Sequence, residues 1–227
     1  MTTPEEKHLF RVSLETALTL LAFVILFTAL SAWVYLFTKP TIEASAKEER
    51  LVFFNQVLPS NLYNNDPLTD TITLSPDIAK SALGQRFPTQ VYRARMNGKP
   101  AGLIIEAIAP DGYSGDIKML IGLDAKGNLL SVRVTEHKET PGLGDYIDPK
   151  KDRNKTSPWI MQFNDLPTLS DAQWHVKKDG GVFDAVAGAT VTPRAVVKAV
   201  HKAVQFAQAN LKMLFAATDK TPAASGH

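Results

Sequence analysis

The sequence predicts an α+β protein in which helices cover an antiparallel meander sheet, preceded by one N-terminal transmembrane helix. Residues 16–38 carry no charged side chain, and a run of that length can cross a bilayer as a helix. From Thr89 onward apolar residues alternate with polar ones between short turns, the pattern of strands in an antiparallel sheet. Helical spacing of apolar residues returns after Pro193.

The first segments are an N-terminal piece and a membrane anchor. We predict a short cytoplasmic segment over 1–15 and the transmembrane helix over 16–38, with Trp33 and Tyr35 near one membrane interface. A cleaved signal peptide is the alternative. Its apolar core would be shorter, and the small-residue site at Ala29-Leu30-Ser31 falls inside the apolar run, so an uncleaved anchor is favoured.

Charge does not orient this anchor. Lysine and arginine stand on both sides of the apolar run, at Lys7 and Arg11 before it and at Lys39, Lys47 and Arg50 after it. The positive-inside rule therefore gives no answer.

A helical linker region is predicted over 39–86. Pro40 ends or kinks the membrane helix, and residues 41–57 have an apolar face at helical spacing. Ser75-Pro76-Asp77 opens a short helix over 75–83, which Gly84 ends.

The main domain is predicted over 87–215. Four strands are expected over 91–96, 101–108, 117–123 and 129–134. Asn97-Gly98 is a strong hairpin turn. A last helix is predicted over 193–215, with Thr192 as its cap and Pro193 as its first residue. We expect the three helices to cover one face of the sheet, and residues 216–227 to form a disordered tail.

Composition excludes several kinds of chemistry. The 227 residues include no cysteine, which removes disulfides, thiolate metal sites, iron–sulfur clusters and a cysteine nucleophile. The net charge of +2 argues against a nucleic-acid binder. The histidines show no metal-like spacing, so no metal site is predicted. We find no acid–base pair and no nucleophile motif, so no catalytic residue is predicted.

The segment Asp184-x-x-Ala187-Gly188-Ala189-Thr190 is the most informative motif. Small residues bring the chain to a hydroxyl just before a helix, whose free N–H groups and dipole attract anions. Gly188 and Ala189 leave room for a bulky group, so a phosphate near Thr190 would be well placed. The alternative is an ordinary strand exit that happens to read Gly-Ala-Thr.

A second motif follows the fourth strand and reads His137-x-Glu139-Thr140-Pro141-Gly142-Leu143-Gly144. Pro141 holds Thr140 extended, and the two glycines allow a flat ring to lie close to the backbone. Leu143 could pack on the face of that ring, and Thr140 could hydrogen-bond its polar edge. A tight loop without a ligand is the alternative.

These two motifs, with the Gly112-Tyr113 turn before the third strand, resemble the FMN-binding domains of bacterial respiratory complexes. The resemblance covers about residues 87–207. It implies covalent FMN, which a flavin transferase joins to Thr190 as a phosphoester, with Asp184 in the transferase recognition sequence. The motif from His137 to Gly144 would line the isoalloxazine ring. Ala187 stands where the family often has Ser or Thr, which we expect to be tolerated because that hydroxyl is not the acceptor.

Within that family the chain resembles the G subunits of Rnf-type electron-transport complexes. This implies an electron-carrying subunit of an ion-translocating oxidoreductase, partnered by other subunits, in the bacterial inner membrane with its FMN domain on the periplasmic side. Arg194 would help neutralise the phosphate, or it is merely a solvated arginine. The C subunit of the sodium-pumping NADH:quinone reductase is an alternative. A membrane-anchored extracytoplasmic sensor or binding module without flavin is another.

Overall fold

The computed structural model describes residues 4–216, so the predicted disordered tail lies outside the described residues apart from Ala216. The chain divides into two units, residues 1–50 and 51–227. Its helices and strands are α1 Pro4–Val57, β1 Thr71–Leu74, α2 Pro76–Leu83, β2 Thr89–Met96, β3 Lys99–Gly112, β4 Gly115–Asp124, β5 Leu129–Glu136 and α3 Val191–Ala216. Short 3-10 turns connect β5 to α3.

The first unit is nearly all of helix α1. Between Arg11 and Ile42 this helix is long and apolar enough to cross a membrane, with a mean hydropathy of 2.3, and its apolar side chains are exposed. The helix continues through Pro40 rather than ending there.

The second unit contains a five-stranded sheet in which each strand pairs antiparallel with the next, in the order β1-β2-β3-β4-β5. This confirms the α+β meander with covering helices. The sequence analysis predicted four strands and missed β1, which lies inside the segment predicted as a helical linker. Strand β1 has four residues, too few for alternation to be recognised. Its register is set by pairing with β2, with Ile72 opposite Val91.

Helices cover both faces of this sheet, so the expectation that all three lie on one face is wrong. Helices α2 and α3 pack on one face in the larger core cluster. The last turn of α1 covers the other face, where Phe54 and Val57 join Tyr92, Ile104 and Leu120 in a second cluster. The central strands are therefore apolar on both sides, as in the consecutive pair Ile104-Ile105, each fully buried.

The end of α1 approaches β4 and β5 very closely. The Ser131 hydroxyl donates to the carbonyl oxygens of Gln56 at 3.0 Å and Val57 at 3.2 Å. These carbonyls belong to the last turn of the helix and have no partner within it. A Cβ placed on Gly122 would lie 2.0 Å from the Val57 oxygen, so only glycine allows this contact.

We therefore expect Gly122→Ala to lower the free energy of unfolding by about 3 kcal/mol, because the strand and the helix end must separate. Gly98→Ala is the matched control. That glycine has φ 78° and no atom within 4 Å of an added Cβ, so the cost is that of left-handed backbone alone, about 1 kcal/mol. Thermal and denaturant unfolding of the full chain in detergent would measure both. Equal losses for the two variants would contradict the close contact.

Candidate functional site

Three segments that are distant in sequence meet at the carboxylate of Glu139. The backbone N–H of Ser114, in the turn between β3 and β4, donates to Oε1 at 2.9 Å. The hydroxyl of Thr192, in the first turn of α3, donates to Oε2. Glu139 itself follows β5 and is only 4% exposed. The carboxylate therefore brings the Gly-Tyr turn, the loop after β5 and the start of α3 into one site.

Gly144 closes over this hydrogen bond. A Cβ at that position would lie 2.5 Å from Glu139 Oε2 and 2.7 Å from Thr192 Oγ1. Glycine is thus required here because the backbone passes directly over two polar atoms.

The loop from Thr140 to Asp145 is held by its own backbone. The Thr140 carbonyl accepts the N–H groups of Leu143 and Gly144, both at 3.1 Å, and Asp145 Oδ1 accepts the N–H of Gly142 at 2.8 Å. Gly142 has φ 76°, a conformation that favours glycine. These bonds fix the loop so that the Leu143 side chain projects outward, 54% exposed.

Two buried aromatic residues hold the loop before Thr190 through hydrogen bonds to its backbone. The Tyr146 hydroxyl donates to the carbonyl of Ala189 at 3.1 Å, and Trp159 Nε1 donates to the carbonyl of Asp184 at 2.6 Å. Burial raises the pKa of Tyr146 to about 12, so the phenol keeps its proton across the neutral range. Between the two bonded carbonyl groups, Gly188 has φ 82° and no atom within 4 Å of an added Cβ.

Thr190 stands directly before α3, which begins at Val191. The prediction that Thr192 caps this helix is wrong, because its hydroxyl is bonded to Glu139 and its residue already lies in the helix. Arg194 Nη1 donates to Thr190 Oγ1 at 3.1 Å. The same guanidinium donates to both carboxylate oxygens of Asp179, at 2.6 and 2.7 Å. The hydrogen bond with Asp179 raises the pKa of Arg194.

These segments enclose an open cleft with a volume of about 150 Å³. Five of the predicted site residues line it: Leu143, Gly144, Gly188, Ala189 and Thr190. Four lining residues were not predicted as site residues: Tyr113, Glu139, Val191 and Thr192. Tyr113 and Glu139 lie inside two of the motifs, although neither is among the predicted site residues, and only the fold shows that they share one cleft.

The other predicted residues surround the cleft without lining it. Thr140, Pro141 and Gly142 shape the loop behind Leu143, and Arg194 reaches the Thr190 hydroxyl from the side. Asp184 is exposed, and its Oδ1 pairs with Lys177 Nζ at 2.7 Å.

The cleft suits a flat ring with an anionic tail. Tyr113, Leu143 and Val191 are large apolar residues that are 69%, 54% and 45% exposed, a surface that a ring could cover. At the other side, the Thr190 hydroxyl lies at a helix N-terminus beside a guanidinium, where a phosphate is favoured. The residues present therefore fit FMN.

Comparison with known families identifies the class of protein. The model of the FMN-binding domain matches residues 112–205, which include the Gly-Tyr turn, the loop after β5 and Thr190. A second family model, the RnfG N-terminal region, matches residues 8–57, which span most of α1. The chain is thus a protein with an FMN-binding domain behind an N-terminal apolar helix.

Individual relatives show which family within this class the chain resembles. The G subunits of the ion-translocating oxidoreductase complex of two Pseudomonas aeruginosa strains are 45% identical, over 96% of this chain and 97% of theirs. The G subunit of Pectobacterium atrosepticum is 43% identical (85% and 88% covered) and that of Vibrio cholerae 41% (88% and 92%). A solved structure, NqrC of Shewanella oneidensis, is 24% identical with a TM-score of 0.43, covering 70% of this chain and 74% of that one.

The chain belongs to the family of G subunits of the ion-translocating oxidoreductase complex. This confirms the predicted resemblance to Rnf-type G subunits.

The Tyr146 hydroxyl gives a test of the site's architecture. Because its pKa is raised in the folded protein from 10.0 to about 12, Tyr146 contributes stability that is complete below pH 10 and is lost as pH rises through 12. Tyr146→Phe should lower stability by about 1 kcal/mol at neutral pH through loss of the bond to Ala189. Between pH 10 and 12 it should lose less stability than the wild type.

Thermal unfolding measured from pH 7 to 12 would check this, with Tyr35→Phe as the control, since Tyr35 lies in the apolar part of α1 and is exposed. Identical alkaline profiles for the wild type and Tyr146→Phe would show that the phenol is not held as described.

Proposed function

We propose that this chain is an electron-carrying flavoprotein subunit whose FMN is joined by a phosphoester to Thr190 Oγ1. One observation carries the proposal: the Thr190 hydroxyl lines the cleft, directly precedes the 26-residue helix α3 and lies 3.1 Å from the Arg194 guanidinium. A hydroxyl in that setting can hold a phosphate group and keep it charged. Membership of the G-subunit family and the match to the FMN-binding domain support the same conclusion.

The start of α3 supplies the phosphate environment. Pro193 has no N–H, so the backbone N–H groups of Val191 and Thr192 are the free donors of the first turn. The helix dipole adds a favourable field for an anion. Arg194, oriented by its two bonds to Asp179, adds a charged donor beside the linkage. We propose that Arg194 neutralises part of the phosphate charge.

The rest of the cleft would hold the ring. Leu143, Tyr113 and Val191 offer apolar contact, and Gly144 and Gly188 let backbone lie close to it. Thr140 is proposed to hydrogen-bond the ring's polar edge, with Pro141 and Gly142 keeping the loop in shape. Bound FMN supplies the acceptance and release of one or two electrons. The protein's own side chains bind and orient it, so no acid–base pair is needed.

Attachment requires a partner protein. We propose that a flavin transferase recognises the exposed segment that begins at Asp184, since its side chain points to solvent and contacts only Lys177 among the described salt bridges. Trp159 and Tyr146 hold that segment by its backbone, which leaves its side chains available.

The setting in the cell is also proposed. Helix α1 would anchor the chain in the bacterial inner membrane as a single span, with the FMN domain on the periplasmic side. Other subunits of the complex would then donate and accept the electrons. Covalent attachment suits that location because it prevents loss of the cofactor to a large outside volume.

The direct test is Thr190→Val, expressed with an active flavin transferase. The valine keeps the shape of threonine but has no oxygen for the phosphoester, so covalent flavin should disappear. Ultraviolet fluorescence of the denatured band on a gel and intact-protein mass would measure it. Thr168→Val, at an exposed threonine in a different cleft, is the control and should stay loaded. A fluorescent Thr190→Val band would refute the linkage, and a dark wild-type band would favour a module without flavin.

Arg194 gives a second prediction. Arg194→Ala removes the guanidinium beside Thr190, so attachment should slow by about tenfold, the value of one charged hydrogen bond of roughly 1.5 kcal/mol. Lys198→Ala is matched, because Lys198 is also an exposed cation on α3 paired with an aspartate, Asp111 at 2.5 Å. Its loading rate should be unchanged. Time courses of in-gel fluorescence would show both, and equal rates for the two variants would make Arg194 a solvated arginine.

A further inference from the structure

We propose that Glu139, besides joining the three segments of the site, lowers the reduction potential of the flavin held in the cleft. This inference rests on the proposed function, since it requires FMN at Thr190. It assigns an electrostatic role to a residue whose structural role is already visible in its hydrogen bonds.

Glu139 is the only side chain with a formal charge among the nine residues that line the cleft. Its two hydrogen-bond donors are a backbone N–H and a hydroxyl, both neutral. Within the described part of the chain, no lysine or arginine forms a salt bridge with it; Arg194, the cation nearest the attachment point, is bound to Asp179 and Thr190 instead. Among the described residues, the negative charge at the cleft wall is therefore not neutralised by a salt bridge.

A charge in this position acts strongly on a bound ring. Glu139 is 4% exposed, and water screens a buried charge much less than an exposed one. Reduction adds electrons, and therefore negative charge, to the ring. Repulsion from the carboxylate disfavours that added charge, so reduction becomes harder. The structure thus points to a flavin poised to give up electrons readily.

Hydrogen bonding alone does not require a carboxylate here. A glutamine could accept the Ser114 N–H through its carbonyl, while its amide donated to the Thr192 hydroxyl, which can turn to accept. Glu139→Gln therefore removes the charge with little change of shape, and it separates the electrostatic role from the structural one.

The experiment measures the flavin midpoint potential of the full chain in detergent, loaded by the transferase, by spectroelectrochemistry. Glu139→Gln should favour reduction by about tenfold per electron, a rise of ~59 mV for a one-electron step. Asp152→Asn is the matched control. Asp152 is a buried carboxylate that accepts two backbone N–H groups, from Asn154 at 2.8 Å and Trp159 at 2.6 Å, but does not line the cleft. Its potential should shift much less.

Thr192→Val should shift the flavin potential in the opposite direction to Glu139→Gln. It keeps the Glu139 charge and removes one hydrogen-bond donor that partly offsets that charge. The flavin potential should therefore fall, with the equilibrium constant for reduction about threefold lower. A purely structural role predicts instead that both variants loosen the same contact and shift the potential in the same direction. Thermal unfolding of the unloaded proteins would report that structural effect separately.

The outcomes are distinct. A rise for Glu139→Gln with a fall for Thr192→Val supports the inference. An unchanged potential in loaded Glu139→Gln, or equal shifts in both variants or in Asp152→Asn, overturns it while leaving covalent FMN intact. If Glu139→Gln does not fold or does not bind flavin, the test rests on Thr192→Val. A potential that does not fall in Thr192→Val would overturn the inference. Absence of covalent flavin in the wild type would refute the proposed function itself, and the inference with it.

Discussion

Burial of the Glu139 carboxylate constrains the whole site. A buried carboxylate costs several kcal/mol unless donors satisfy it. Here the donors are Ser114 and Thr192, one in the turn after β3 and one in α3. Both hydrogen bonds form only when these two segments pack against the loop after β5. Gly144 permits that packing, because a side chain there would collide with Glu139 and Thr192. The cleft is therefore a consequence of the fold.

The sheet and α3 determine the position of the Thr190 hydroxyl. Helix α3 packs along the sheet through buried residues such as Val196 and Val200, so its N-terminus is fixed against the strands. Thr190, one residue before that helix, shares this fixed position but is only partly buried. The segment leading to it is held by the Tyr146 and Trp159 side chains at its backbone. A rigid support thus carries an accessible hydroxyl, which is what the proposed modification by a second protein would require.

Sequence reasoning succeeded where the signal was local. Alternation predicted β2 to β5, and Leu143, Gly144 and Thr190, which come from two separate motifs, line one cleft. Prediction from sequence failed where a local structure depends on contacts with residues distant in the chain. Strand β1 exists because it pairs with β2, and the Thr192 hydroxyl lies inside the first turn of α3, where it bonds Glu139 and does not cap the helix. Glu139 lies inside the second motif, but the sequence does not predict its hydrogen bonds, because its partners lie 25 and 53 residues away.

The openness of the cleft gives a physical reason for the covalent attachment that we propose. Pockets that retain a ligand by burial alone have volumes of about 300–1,000 Å³, whereas this cleft has about 150 Å³. A flavin here would keep part of its ring exposed, and electron transfer to another subunit needs such exposure. A non-covalent ligand held this loosely would dissociate. The proposed phosphoester at Thr190 would remove that conflict, because retention would then depend on one bond while Tyr113, Leu143 and Val191 would need only to orient the ring.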